Sequence, residues 1–142
     1  TLAGAGLIYA GGISYILYRY VGHPRPTAGM GETAGGAPAQ TSLTLKGAAA
    51  ISVKSALAFD FNGKHSLLIH HADGSWAALD GICTHMGCKV RYEAEQNRIF
   101  CPCHSGVFDA KTGAALSGPP KTPLLSYQVE IKDQDVIISV KG

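Results

Sequence analysis

The four cysteines of the chain all lie between residues 83 and 103, and this clustering constrains the fold more than any other sequence feature. They fall in two short segments, CTHMGC at residues 83–88 and CPCHSG at residues 101–106. Each segment also contains one histidine, His85 in the first and His104 in the second. Four cysteines are too few to build a disulfide-based miniprotein, so we expect them to serve one local structure.

The combination of thiols and imidazoles in these two segments suits zinc or an iron–sulfur cluster. Zinc sites usually use C-x-x-C pairs at regular spacing. Here a C-x-H pattern is followed by a C-x-x-H pattern, and each segment has one additional cysteine. The spacing departs from the usual zinc pattern, and a structural zinc module is kept as a non-redox alternative to an iron–sulfur cluster.

With six matched cysteine and histidine positions, residues 81–121 resemble the Rieske family, specifically the iron–sulfur proteins of cytochrome bc-type quinol-oxidising complexes. The resemblance implies one [2Fe–2S] cluster, with Cys83 and Cys101 on one iron and His85 and His104 on the other. Two neutral imidazoles in place of two thiolates leave less negative charge around the irons. Reduction becomes easier, and such clusters have potentials of about −150 to +300 mV, against about −400 mV for plant-type clusters.

The remaining cysteines, Cys88 and Cys103, match the family's non-ligand cysteines, and the resemblance implies a disulfide between the two loops. Two free buried thiols are the alternative. A persistent disulfide indicates an oxidising compartment. The stretch Gly118-Pro119-Pro120 resembles the proline loop that covers the cluster in this family, although an ordinary rigid turn would have the same composition.

The part of the chain from residue 43 to residue 142 reads as all-β. Two dipeptides typical of hairpin turns, Asn62-Gly63 and Asp73-Gly74, separate apolar runs. Strands are predicted near residues 50–60, 66–71, 75–80, 98–100, 106–108, 114–116, 124–131 and 136–140. Short, closely spaced strands favour a small antiparallel sandwich or barrel, and the resemblance makes it a Rieske-type β-sandwich with a cluster-binding subdomain at about residues 81–121.

Residues 1–20 are predicted to form a transmembrane anchor helix. Leu2 to Tyr18 carries no charged side chain, and as a helix it spans about 25 Å, slightly less than the bilayer core of about 30 Å. A buried soluble helix and a signal peptide are alternatives. Residues 21–42 are predicted to be a linker, in which the small and polar residues 29–41 form a flexible tether between anchor and head.

The resemblance implies electron transfer from quinol to a c-type cytochrome, within a membrane quinol:cytochrome c or plastocyanin oxidoreductase that translocates protons. The implied partners are a cytochrome b subunit, a c-type cytochrome, quinol and membrane lipid. His104, with His85 beside it, would meet the quinol. The protein would cross the membrane once, with its head on the periplasmic or lumenal side. A net charge of +2 without a basic block argues against nucleic-acid binding.

Two other redox functions are compatible with the motif. One is a Rieske ferredoxin that supplies a ring-hydroxylating oxygenase, and the other is the small subunit of an arsenite oxidase-like enzyme. The loop cysteines and the predicted anchor count against the ferredoxin, because those ferredoxins typically lack both. The anchor and the long linker count against the arsenite oxidase-like subunit.

The chain departs from the pattern of high-potential Rieske proteins at two positions. They commonly read C-P-C-H-G-S-x-Y, whereas Gly106 and Phe108 occupy the Ser and Tyr positions here. Both hydroxyl donors to the cluster sulfurs are missing, and Ser105 is displaced by one position. Hydrogen bonds to sulfur favour the reduced cluster, so we expect a potential below about +300 mV, the top of the range. Such a potential favours menaquinol over ubiquinol.

Other residues have simpler interpretations. Met86 lies at the apolar tip of the first loop, where it either seats against a quinone pocket or packs within the loop. His65, His70 and His71 are expected to be surface residues of a hairpin and not ligands. Trp76 is expected to be part of the core.

Overall fold

The computed structural model describes residues 40–141, which form an all-β antiparallel fold with one 3-10 turn at Ala48–Ala50. The strands, in chain order, are β1 (Ser42–Leu45), β2 (Ser55–Phe61), β3 (Lys64–His70), β4 (Trp76–Asp80), β5 (Arg91–Glu93), β6 (Arg98–Cys101), β7 (Gly106–Asp109), β8 (Ala115–Ser117), β9 (Ser126–Lys132) and β10 (Asp135–Ser139).

Six strands form the larger sheet, in the order β1-β10-β9-β4-β3-β2. Tight turns set its register. Asn62 and Gly63 join β2 to β3 with φ values of 54° and 75°, the left-handed pair that a two-residue hairpin loop requires. Gly74, with φ of 78°, lies in the turn between β3 and β4. The two hairpins predicted from these dipeptides are confirmed.

Strands β3 and β4 are buried on both faces, which explains their uninterrupted apolar sequences. In β3, Leu68 points into a core with Phe61 and Tyr127. Its neighbours Leu67 and Ile69 point into a second core on the other side. Because side chains alternate along a strand, one run of apolar residues serves both cores.

The second sheet has the order β5-β6-β7-β8 and is inserted between β4 and β9. Its inner face contributes Ile99 and Phe108, both fully buried, to the core that also contains Leu67 and Ile69. The strands are only three or four residues long. Two loops at one end of this region carry all the cysteines.

Some strand limits differ from those predicted. The strand expected near residues 50–60 begins only at Ser55, because Ala48–Ala50 form the 3-10 turn and Lys54 is left-handed with φ of 58°. Strands β1 and β5 were not predicted, since each is short and lacks a strong turn signal. The predicted anchor and all of the linker before residue 40 lie outside the described residues. Within residues 40–141, no helix is long and apolar enough to cross a membrane.

One of the three hairpin histidines was wrongly assigned to the surface. His71 is only 1% exposed, and its Nδ1 lies 2.9 Å from the side-chain oxygen of Asn97 in the smaller sheet's first hairpin. It thus connects the two sheets. His70 is half-buried and stacks on Trp76 with 4.0 Å between ring centroids. Trp76 is itself only half-buried and packs against the edge of the core.

Candidate cluster-binding site

The first loop, residues 83–88, is a tight turn closed by its own backbone. The Cys83 amide donates to the Cys88 carbonyl at 2.7 Å, and the Gly87 amide donates to the Cys83 carbonyl at 3.0 Å. Gly87 has φ of 75°, a conformation that glycine adopts without steric cost. The turn buries Cys83 and leaves His85 and Met86 exposed at its tip.

The second loop connects β6 to β7. Cys101 and Gly106 are paired at the end of this hairpin, so residues 102–105 form a four-residue turn. Ser105 has φ of 55°, which is unusual for a residue other than glycine, asparagine or aspartate. As in the first loop, the first cysteine is buried and the histidine, His104, is exposed.

A disulfide between Cys88 and Cys103 joins the two loops, as the resemblance implied. Its sulfurs also lie near the thiol of Cys101, and the three Sγ atoms are within 4.8 Å of one another. Because two of these sulfurs are bonded to each other, the group is not a three-thiolate metal site. The free cysteines of residues 40–141 are Cys83 and Cys101.

The loops place the four side chains that the resemblance implied as ligands in two adjacent pairs, one of histidines and one of cysteines. The rings of His85 and His104 lie nearly perpendicular, with centroids 4.9 Å apart. The thiols of Cys83 and Cys101 are buried side by side. Two thiols on the inside and two imidazoles on the outside match the donor set of a Rieske cluster, in which one iron has cysteine ligands and the other has histidine ligands.

The electrostatics of the inner thiols depend on whether metal is bound. Burial raises the pKa of the Cys83 thiol, and the adjacent Cys101 raises it further. The backbone N–H groups of His85 and Met86 oppose this effect by stabilising the thiolate. A coordinated metal ion deprotonates a thiol outright, so a positively charged metal centre would reverse the preference for the neutral thiol.

The Gly118-Pro119-Pro120 segment packs directly on the second loop. A Cβ atom on Gly106 would lie only 2.8 Å from Cγ of Pro120, and one on Gly118 would lie 2.8 Å from Cα of Gly106. Real Cβ atoms essentially never approach other heavy atoms this closely. The two segments are therefore in direct contact.

Two other positions noted in the sequence have contrasting environments. Met86 is 69% exposed, so it is not packed within its loop. Phe108 is fully buried in the core that also contains Cys83 and Cys101. An aromatic ring at position 108 thus lies in the same core as the two thiols, and it lacks the hydroxyl that tyrosine would provide.

Sequence reasoning missed two contacts that position the loops. The hydroxyl of Thr84 donates to the Thr122 carbonyl at 2.8 Å, and Gly106 packs against Pro120. Each contact joins residues that are distant in the chain, so no local sequence pattern predicts it. One sequence signal for the contact between Gly106 and Pro120 was available. Positions 105 and 106 read Ser-Gly in this chain, whereas high-potential Rieske proteins commonly read Gly-Ser there.

Comparison with known proteins supports the implied family. The model of the Rieske [2Fe-2S] domain matches residues 44–128, more than half of the chain. The iron–sulfur subunit of the cytochrome b6-f complex of Chlorobaculum tepidum is 35% identical over 82 residues, which cover 58% of this chain and 44% of that protein. The matched part thus spans less than half the length of that relative.

Two further similar proteins are not described as subunits of a cytochrome b6-f complex. The carotenoid phi-ring synthase of Chlorobaculum tepidum is 44% identical over 72 residues, or 51% of this chain and 11% of that protein. Among solved structures, the ferredoxin of carbazole 1,9a-dioxygenase from Nocardioides aromaticivorans has a TM-score of 0.61 at 26% identity. That match covers 72% of this chain and 100% of the ferredoxin.

Proposed function

Because the chain belongs to the Rieske [2Fe–2S] domain family, we propose that it transfers electrons from quinol to a c-type cytochrome as the iron–sulfur subunit of a membrane oxidoreductase. Its cofactor is one [2Fe–2S] cluster. We assign Cys83 and Cys101 as ligands of the inner iron, and His85 and His104 as ligands of the outer iron. The disulfide leaves these two cysteines as the free thiols of residues 40–141, which supports the assignment.

The observation that carries the proposal is the pairing of exposed histidines with a disulfide between their loops. His85 and His104 are exposed, so both rings are accessible to a partner at the surface of the head. A Rieske ferredoxin typically lacks the loop disulfide, whereas Cys88 and Cys103 are bonded here. A similar iron–sulfur subunit of a cytochrome b6-f complex supports the same conclusion.

When bound, the cluster supplies one-electron chemistry at a potential that its imidazole ligands raise. The chain's own residues supply the rest. At the exposed tip, the His104 ring would accept a hydrogen bond from the quinol hydroxyl and take up the proton that is released with the first electron. Met86, at 69% exposure, places an apolar surface beside them that can seat against a quinone pocket of the partner. The buried side of the site keeps water from the two thiolates.

The absence of two hydroxyl donors supports menaquinol as the substrate. Phe108 and Gly106 carry no hydroxyl, so their side chains donate no hydrogen bond to the cluster sulfurs. Weaker hydrogen bonding lowers the potential, and a low-potential cluster is matched to a low-potential quinol.

The anchor and linker complete the proposed organisation. Residues 1–20 would hold the subunit in the membrane beside a cytochrome b subunit. Gln40 and Ser42 already bond to the head, so it is the linker before residue 40 that would let the head move between quinol and cytochrome. The head would lie on the periplasmic or lumenal side, where a disulfide persists. The bond between Cys88 and Cys103 supports this side.

The deciding experiment is to isolate the tagged full-length protein from membranes of its host and identify what copurifies. We expect a diheme cytochrome b, together with quinol:cytochrome c reductase activity that is lost in His104→Ala. Copurification with a soluble oxygenase, or activity that survives the substitution, would contradict the proposal. His70→Ala is the matched control, because His70 lies at the end of β3 that pairs with Trp76, away from Asp80 and the first loop.

A second function, electron supply to an oxygenase, has support from one observation. The dioxygenase ferredoxin is matched over its whole length. The two functions differ in where the electron goes. Reduced protein that reoxidises rapidly with a c-type cytochrome favours the first function, and reoxidation only by an oxygenase component would favour the second.

A further inference from the structure

Residues 118–122, hereafter the strap, contact both cluster loops. At one end, Gly118 and Pro120 pack on the second loop. At the other end, the Thr122 carbonyl accepts the hydrogen bond from Thr84 of the first loop. The strap therefore connects the two loops in addition to the disulfide that joins them.

The contact at Gly106 leaves no room for a side chain. A Cβ there would meet Cγ and Cδ of Pro120 at 2.8 and 3.1 Å, and Cβ of Cys101 at 3.5 Å. Pro120 is buried and its ring is rigid, so it cannot move aside as the end of a flexible side chain would.

The need for glycine at position 106 is steric and not conformational. Gly106 is not among the glycines with positive φ, whereas Gly118 is, with φ of 86°. The left-handed residue of the second loop is instead Ser105, where glycine would fit better. The chain thus has serine where the backbone favours glycine and glycine where the strap allows no side chain.

We propose that Gly106 is a positioning residue, through which the strap closes on the second loop, and that the size of residue 106 determines how tightly the cluster is enclosed. Any side chain at this position displaces Pro120 and separates the strap from the second loop beside Cys101. For the same reason, Gly106→Ser does not simply add a hydroxyl donor, because its Cβ must first displace the proline ring. The proposal requires the bound cluster but not quinol oxidation, so it can fail independently of the proposed function.

A double-mutant cycle on the cluster-loaded protein tests this proposal. The readout is the rate at which the visible absorbance of the cluster bleaches in excess EDTA. We expect Gly106→Ala to bleach at least about tenfold faster than wild type. In a Pro120→Ala background, which removes Cγ and Cδ, the same substitution should change the rate less than twofold. Pro119→Ala is the control background, in which Gly106→Ala should keep its full effect.

The midpoint potential gives a second readout that a change in stability alone would not move. It should shift in Gly106→Ala and remain unchanged when the same substitution is made in the Pro120→Ala background. Wild-type bleaching in Gly106→Ala, or independent effects of the two substitutions, would overturn the proposal. If Gly106→Ala alone does not assemble a cluster, assembly must be recovered in Gly106→Ala/Pro120→Ala, and failure to recover it would equally overturn the proposal.

Discussion

The six-stranded sheet and the four-stranded sheet with its loops are stabilised in different ways. The larger sheet has strands of up to seven residues and a core of its own built around Leu68, Phe61 and Tyr127. The smaller sheet has strands of three or four residues and shares its core with β3 and β4. Its loops depend on a disulfide, a close glycine–proline contact and metal ligands.

Because of this difference, the larger sheet contributes mainly to stability, whereas the loops of the smaller sheet contribute mainly to cluster binding. Hydrocarbon burial stabilises the larger sheet, in which every strand except the edge strands β1 and β2 pairs with neighbours on both sides. Two buried thiols and two exposed imidazoles offer little hydrocarbon to bury, so local constraints must position them. We therefore expect changes in the loops to affect the cluster first, and changes in the larger sheet to affect unfolding first.

The largest effect is expected from the proposed ligands. Cys83→Ser, His85→Ala, Cys101→Ser or His104→Ala should each abolish the assembled cluster, because each removes one of four iron ligands. The larger sheet should stay folded, as judged by far-UV circular dichroism. The measurements are iron content and the EPR spectrum of the reduced protein, with His70→Ala as the control because His70 pairs with Trp76 at the end of β3 away from the loops. A full Rieske EPR signal in any of the four variants would show that the substituted residue is not an iron ligand.

The next effect concerns the core of the larger sheet. Leu68→Ala should lower the free energy of unfolding by about 2–5 kcal/mol, since Leu68 is fully buried and a cavity is left behind. The cluster spectrum should not change under native conditions. Leu116→Ala is the matched control, because Leu116 is 60% exposed and should change stability by less than about 0.5 kcal/mol. A changed spectrum in Leu68→Ala would contradict the separation of the two regions.

Removal of the disulfide should affect the loops. Cys88→Ala/Cys103→Ala opens a cross-link with a sequence separation of 15, and the loop-entropy model gives about 3 kcal/mol for a loop of this size. Chemical denaturation of the cluster-loaded protein measures the loss. Wild type in reductant should approach the variant, whereas the variant itself should not respond to reductant. Equal stability of variant and wild type would show that the ligands alone hold the loops.

The smallest effect concerns the electronic properties of the cluster, and both sheets should stay folded. Phe108→Tyr should raise the midpoint potential, because it restores a hydroxyl donor in the core that contains both thiols. Phe100→Tyr is the same substitution on the half-buried opposite face of the smaller sheet, and it should leave the potential unchanged. The measurement is a redox titration followed by EPR. A wild-type potential near about +300 mV would contradict the argument from missing donors.

The sequence was informative wherever structure depends on neighbouring residues. Asn62 and Gly63 specify a turn because both adopt positive φ, and the spacing of His85 and Cys83 places both in one short loop. The turn dipeptides and short strands predicted the all-β class, the family resemblance predicted the disulfide, and both are present in the structure. The short strand β5 was missed because three residues give no periodic signal.

By itself, the sequence determined the hairpins, the two cysteine–histidine loops and the family, because each depends on residues close together in the chain. Only the tertiary structure decided that His71 is buried between the sheets and that Pro120 excludes a side chain at Gly106. Both outcomes depend on packing between segments distant in sequence. The physical reason is that turn conformation follows from local sterics, whereas burial and close contact exist only after the two sheets and the strap have come together.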